Sequence, residues 1–213
     1  MTTQYVIEAL FSGFWVTLQL FALCLIFATV LGVLLAVLNY CKIPPLLWVL
    51  KGFVLIIRGT PLMLQLIIVY YGFAAMGLIW QLNTAVVFCF SIHYAVYFSE
   101  VFRGAIDAVA VSQKEAATVL KLNKLQCFFY IILPQAFKKC LPGWGNEWHS
   151  LVKATTIARV IGVVELTRVA QNLVSASTML FPLLWTGVFY LVVSFAITGL
   201  FWFAEKKLNY YKV

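Results

Sequence analysis

The chain has 213 residues, of which 64% are hydrophobic and only 10% charged, and its mean hydropathy is +0.99. A globular domain carries roughly 25% charged residues, so a soluble enzyme or binding module is excluded and an all-α integral membrane protein is expected. The net charge of +8 fits cytoplasmic loops and anionic lipid heads.

The first 41 residues contain one charge, Glu8, and Ala9 to Cys41 contain none. That is enough to cross a ~30 Å hydrocarbon core, which needs about 20 residues. A secretory signal would show a basic start and an apolar core of about 7–15 residues. Neither is present, so the first span, residues 11–40, is expected to be retained. Lys42 and Pro44-Pro45 end it, and Lys51 and Arg58 bracket a short apolar piece. Gly59 to Ser99 is again uncharged and too long for one helix. The polar run Gln81-Leu82-Asn83-Thr84 divides it into spans 59–80 and 85–102 with a tight turn between. A basic segment, 103–140, precedes a fourth span, 141–164. A polar connection from Glu165 to Thr178 leads to a fifth, 182–204, and a basic tail. The reading is one domain, residues 1–213, with five transmembrane helices and no internal repeat.

Lys and Arg set the orientation. With the N-terminus outside and the C-terminus inside, Lys42, Lys51, Arg58, Arg103, Lys114, Lys121, Lys124, Lys138, Lys139, Lys206, Lys207 and Lys212 all fall inside. That is twelve of the fifteen basic residues. Arg168 falls outside, and Lys153 and Arg159 lie in or near the ends of span four.

The cytoplasmic segment reads as a helix-turn-helix. Ser112 with Glu115, and Asn123 with Gln126, each have the spacing of a capping box. Ala116, Ala117 and Leu120 lie on one face of the first helix. Leu125, Phe128, Phe129 and Ile132 mark the second, and Pro134 predicts a boundary or kink near Leu133. The second helix offers no basic side chains to base edges, so nucleic acid is excluded as a partner.

Five cysteines (Cys24, Cys41, Cys89, Cys127, Cys140) are odd in number and form no CxxC pair, which predicts free thiols. No Gly-rich loop followed by Lys-Ser or Lys-Thr is present to cradle nucleotide phosphates. The chain is therefore expected not to be an enzyme and to hold no cofactor or metal, with any ATP hydrolysed on another polypeptide.

Polar residues inside the spans are costly, about 2.5–3.5 kcal/mol for a mid-bilayer charge. His93, Tyr97 and Glu100 share one helical face, and Asn146, His149, Ser150 and Lys153 share another. A polar path for a zwitterion explains them. Glu100 and Arg103 solvated or paired at a span end, and His93 as a satisfied helix-contact histidine, are the structural alternatives. Lys153 reads as a pathway group or half of a buried ion pair, with snorkelling to the membrane surface as the structural alternative. Arg58-Gly59-Thr60-Pro61 is also ordinary helix-start chemistry.

Four motifs together resemble a known family. Glu115-Ala116-Ala117 with Ile132-Leu133-Pro134-Gln135-Ala136 looks like the EAA loop of ABC importer permeases. Arg58-Gly59-Thr60-Pro61-Leu62, then Tyr97, Glu100 and Phe102-Arg103-Gly104, then Ile161-Gly162-Val163 with Glu165-Leu166-Thr167, resemble the polar amino acid (histidine, glutamine, arginine type) group. The resemblance implies a permease subunit in a bacterial inner membrane that imports polar amino acids by alternating access. It implies two cytoplasmic ABC ATPase subunits, an extracytoplasmic solute-binding protein, and a second permease copy or paralogue. The loop would dock in an ATPase groove through Glu115, Ala116, Ala117, Lys121, Leu122 and Pro134. The substrate path would use Gln65, Glu100, Asn146 and Lys153. Two positions depart from the family. Lys121 stands where Gly is usual, with Asn123 or a rebuilt turn taking up the left-handed conformation. Ala154 stands where an Asp usually follows the lysine. The alternatives are a non-ABC carrier, which would show inverted repeats and Gly/Pro-broken helix pairs that the sequence does not display, a membrane scaffold, or a degenerate permease.

Overall fold

The computed structural model describes residues 3–40, 43–177 and 179–208. Expectations that rest on Cys41, Lys42, Thr178 and Lys212 lie outside the described residues. The described residues form helices and short connections, without strands.

Helix α1 (Thr3–Tyr40) is apolar on all sides, so hydrophobicity does not mark its inner face. Residue size does. The buried positions are Leu10, Gly13, Thr17, Leu20, Cys24, Ala28, Gly32 and Ala36, spaced at helical intervals and mostly small. Small residues let helix backbones approach closely where lipid provides no hydrophobic drive for helix association. Their partner is α5 (Leu82–Asp107), the central helix, buried along most of its length. A Cβ at Gly32 would sit 2.8 Å from Phe98 Cβ and 2.9 Å from the Ala95 carbonyl oxygen.

Between them, α2 (Pro44–Gly59) and the rod of α3 (Leu62–Ile67), a π-helical turn (Ile68–Gly72) and α4 (Phe73–Ala75) meet at 103°. This corrects two expectations. One Gly/Pro-broken helix pair is present, and the second span ends at Ala75, five residues early. Gly77, at φ +85°, stops it by accepting a left-handed conformation, so the turn precedes Gln81 and α5 begins at Leu82.

Helix α6 (Val111–Val119) and α7 (Lys124–Cys127) form the expected hairpin. A π-helical turn (Phe128–Ile132), α8 (Leu133–Ala154) and a 3-10 turn (Thr155–Ile161) then follow without a break. Pro134 is the second residue of α8, directly after the π-helical turn. The expected boundary at Leu133 is thus a change of helical pitch within a continuous rod. Gly162, at φ +104°, ends it.

Helix α9 (Leu166–Ser177) shows complete capping of its first turn. Leu166 N–H donates to Thr17 Oγ1 at 3.2 Å, and Thr167 and Arg168 N–H each donate to the Glu165 carboxylate at 2.8 Å. Val169 N–H closes the first helical bond to the Glu165 carbonyl. Burial pushes the Glu165 carboxyl above its ordinary range, and those two backbone donors oppose the rise. Helix α10 (Phe181–Leu208) leaves Leu191, Val192 and Phe195 exposed on its surface.

By length and composition α1, α5 and α10 can cross a membrane, and the bent α2–α4 pair adds a fourth crossing if it counts as one span. The expected fourth span, 141–164, is different. Its helix is apolar only on the side that packs, with Leu141, Trp144, Leu151 and Val152 buried, while Asn146, Ser150 and Lys153 are exposed.

Gly32→Val is expected to cost about 1–3 kcal/mol through overpacking, seen as a lower thermal midpoint in detergent. Gly52→Ala, where nothing lies within 4 Å, serves as the control and leaves that midpoint unchanged or slightly raised.

Candidate functional site

The hairpin is locked by two local devices. Leu122 N–H bonds to the Ala117 carbonyl at 3.0 Å and Lys121 N–H to the Thr118 carbonyl at 2.9 Å, the paired bonds of a Schellman C-cap. Its left-handed residue is Lys121 itself, at φ +53°. Asn123 instead is extended and caps α7, so the relief expected from Asn123 does not occur. Asn123 Oδ1 accepts from Gln126 N–H at 2.8 Å and Asn123 N–H donates to Gln126 Oε1 at 2.9 Å, the expected box. The other expected box does not form. Buried Val109 pins the preceding turn, Ala110 becomes the cap, and Ser112 falls inside the helix.

Ala117 is 1% exposed beneath the hairpin, with Leu122 half-buried beside it, while Glu115, Ala116 and Lys121 face outward. Exposed Val119, Leu120 and Leu125 form a bare apolar tip. Gln135 Nε2 ties the hairpin to the rod through the Ile131 carbonyl (3.0 Å) and Gln113 Oε1 (3.4 Å), and Lys139 Nζ reaches the Ala108 carbonyl at the end of α5 (3.0 Å). Pro134 is exposed next to these ties.

A second polar group sits at the α2/α3 bend. Gln65 Nε2 donates to the Ile57 carbonyl (2.8 Å) and Thr60 Oγ1 (2.7 Å), and Thr60 Oγ1 donates to the Ile56 carbonyl (2.8 Å). Gln65 Oε1 is therefore an acceptor, which requires His93 Nδ1, at 2.9 Å, to carry the proton. His93 is thus a satisfied helix-contact histidine.

Nearby, the Glu100 carboxylate accepts from Arg58 Nη1 (3.1 Å) and from Arg103 Nε (3.0 Å) and Nη2 (3.2 Å). Arg103 Nη1 also donates to Asp107 (3.0 Å). The Arg58 guanidinium lies 5.7 Å from the Tyr97 ring centre, a cation–π contact. Asn39, Lys51, Arg58, Glu100 and Arg103 line a cavity of about 640 Å³ here.

Gln65, His93, Glu100 and Arg58 thus come together. Asn146 and Lys153 are placed elsewhere, on the exposed face of α8, and Lys153 makes no ion pair among the described residues. His149 turns toward α10 and meets Thr198 Oγ1 at 3.2 Å. Asp107 went unnoticed in the sequence although it stands four residues after Arg103, the spacing of a helical ion pair, and Thr60, read there as helix-start chemistry, proves to be a partner of Gln65. Cys24, Cys89, Cys127 and Cys140 are free.

Lys121→Gly is expected to raise stability by about 1 kcal/mol by removing left-handed strain, read as a higher thermal midpoint. Gln65→Leu strands the His93 and Ile57 groups and is expected to cost about 1–3 kcal/mol for each.

Comparison with known proteins follows the same geometry. Residues 28–210 match the family described as binding-protein-dependent transport system inner membrane component. The arginine transport system permease protein ArtQ of Bacillus subtilis (strain 168) is 33% identical over 206 residues, covering 95% of this chain and 94% of its own. The octopine transport system permease protein OccM of Rhizobium radiobacter is 31% identical over 210 residues, covering 94% and 86%. A crystal structure of an amino acid ABC transporter with histidines superposes with a TM-score of 0.89 at 31% identity, over 97% of this chain and 100% of that one. An inward-facing MetNI methionine ABC transporter shares the fold alone, at TM-score 0.84 and 16% identity over 98% and 99% of the two chains. The chain belongs to the family of binding-protein-dependent transport system inner membrane components.

Proposed function

We propose that this chain forms half of the translocation path of an ABC importer for polar amino acids, with its hairpin as the point where ATP-driven motion enters. The chain is an inner-membrane permease subunit and not itself an enzyme. Its family works with ATPase subunits, a partner permease and a binding protein. For this chain the finer assignment is two cytoplasmic ATPases, a second copy or paralogue across the exposed face of α8, and an extracytoplasmic binding protein. Polar amino acids as substrates follow from relatives named for arginine, octopine and glutamine.

The observation that carries this reading is the rigid hairpin with an apolar tip, mounted on a rod that continues into the polar face of α8. Val119 is 82% exposed and Leu120 and Leu125 are each 69% exposed, at a turn held by a Schellman cap and a capping box. An apolar tip bare to water is expensive at about 25 cal/mol per Å², and an ATPase groove would cover it. Glu115, Ala116, Ala117, Lys121, Leu122 and Pro134 position that tip. Displacing it tilts the rod, and with it Asn146 and Lys153, relative to Gln65 and Glu100 on α3 and α5. The energy for that tilt must come from ATP binding the two states with different affinity. Five crossings, with α8 as the fourth and facing its partner rather than lipid, put the N-terminus outside and the basic hairpin inside.

Reconstitution with the cognate ATPase and binding protein tests the reading. Wild type is expected to show substrate-stimulated ATP hydrolysis. Glu115→Arg and Leu120→Asp are expected to lower it at least tenfold with an unchanged thermal midpoint. A wild-type chain that assembles with no ATPase would sink the proposal.

A further inference from the structure

The seam between α8 and α10 is closed along its middle and open at one end. A Cβ on Gly145 would lie 3.2 Å from Phe201 Cγ. Trp148 meets Phe201 edge-on with 5.0 Å between ring centres, and His149 Nε2 reaches Thr198 Oγ1 at 3.2 Å. Toward the hairpin end of α8 the seam opens into a cavity of about 420 Å³ lined by Lys138, Pro142, Trp202, Glu205 and Lys206.

The sequence of α10 sets the level of that cavity in the membrane. Its exposed apolar surface runs through Phe195, Leu200, Trp202 and Phe203, and Glu205, Lys206 and Lys207 then follow. An apolar stretch that ends in an indole and then in lysines marks the passage from hydrocarbon to head groups. Lys206 Nζ stands 5.0 Å from the Trp202 ring centre, a cation–π contact that fixes the ammonium over the indole. Lys138, half-buried on α8 one turn before Pro142, brings a second ammonium from the other helix. Phe195, Gly199, Trp202 and Lys206 share one face of α10. A Cβ on Gly199 would meet nothing within 4 Å, so a shallow apolar slot leads from Trp202 toward Phe195.

The cavity thus sets two ammoniums against one carboxylate, leaving one positive charge beside a slot wide enough for a hydrocarbon chain. A phosphodiester with a single negative charge balances it, whereas a zwitterionic head group leaves it uncompensated. Basic pockets between membrane helices on the cytoplasmic side receive anionic head groups. We propose that this cavity binds one anionic diacyl phospholipid, its phosphate between Lys138 and Lys206 and one acyl chain along Trp202, Gly199 and Phe195. The leaflet, cytoplasmic, rests on the orientation given above; the binding itself does not, and it is read without transport or ATP hydrolysis.

The test is titration of the purified full chain in detergent with dioleoylphosphatidylglycerol or dioleoylphosphatidylcholine, bound lipid being counted by native mass spectrometry. Phosphatidylglycerol is expected to bind one site about tenfold more tightly, the order of gain that basic residues provide near a membrane surface. Lys138→Gln combined with Lys206→Gln is expected to abolish that preference at an unchanged thermal midpoint. Glu205→Gln is expected to strengthen binding of phosphatidylglycerol alone, and it keeps the test decisive where the double variant does not fold. Arg168→Gln, on α9, is expected to leave the preference intact. Equal affinity for the two lipids overturns the proposal, as does a preference unmoved by the lysine and Glu205 variants. An equal loss in Arg168→Gln assigns the preference to net charge and overturns it too. Weaker association between copies of the chain with lipid retention unchanged assigns the cavity to a protein contact, with the same consequence.

Discussion

The bend between α2 and α3 imposes the constraint on which the rest of the bundle depends. A backbone group buried without a partner costs several kcal/mol. A turn of 103° would strand the last carbonyls of α2. Three features prevent this. Pro61 contributes no N–H to satisfy, Thr60 returns its hydroxyl to Ile56, and Gln65 folds back onto Ile57 and Thr60. Because the Gln65 amide is committed to those acceptors, its oxygen must face α5, and His93 answers it. One broken helix thus fixes a rotamer, a tautomer and the angle at which Arg58 meets Glu100.

The same rule explains the helix ends. Gly77, Lys121 and Gly162 sit at equivalent places in three Schellman caps, each with a six-to-one and a five-to-two bond. Two of them use the residue that has no Cβ. The third uses a lysine at the tip of the hairpin. There the strain is offset by a position where a charged side chain projects outward and where the backbone turn, once made, holds Ala117 buried beneath the hairpin.

Much of this was legible in the sequence, and what was not has physical causes. Uncharged runs marked the apolar spans because charge is what lipid penalises most. The box at Asn123 and Gln126 formed because nothing else competes for the start of α7. The identical spacing at Ser112 and Glu115 failed because Val109, a tertiary contact, decided where α6 begins. The small residues of α1 carry a readable pattern, Cys24, Ala28, Gly32 and Ala36 at every fourth place, but only to a reader who asks about size in a helix where hydrophobicity is uniform. Of the expected path residues, Gln65 and Glu100 come to rest in one polar group and Asn146 and Lys153 on another surface. That separation depends on helix rotation, which spacing alone does not determine.

The two surfaces are mechanically joined. The 22 residues of α8, at 1.5 Å each, make a lever of about 33 Å, with the hairpin at one end and Lys153 at the other. It runs on from the π-helical turn at Phe128–Ile132 with no loop between them, and carries Pro142 within it. The lever pivots against α5 at two tight places, Gly143 on Val101 and Trp144 on Phe98. A tilt of the rod therefore moves Lys153, ten residues beyond Gly143, through a wider arc than Asn146, three residues beyond it, so the polar face of α8 swings most at the end farthest from the hairpin.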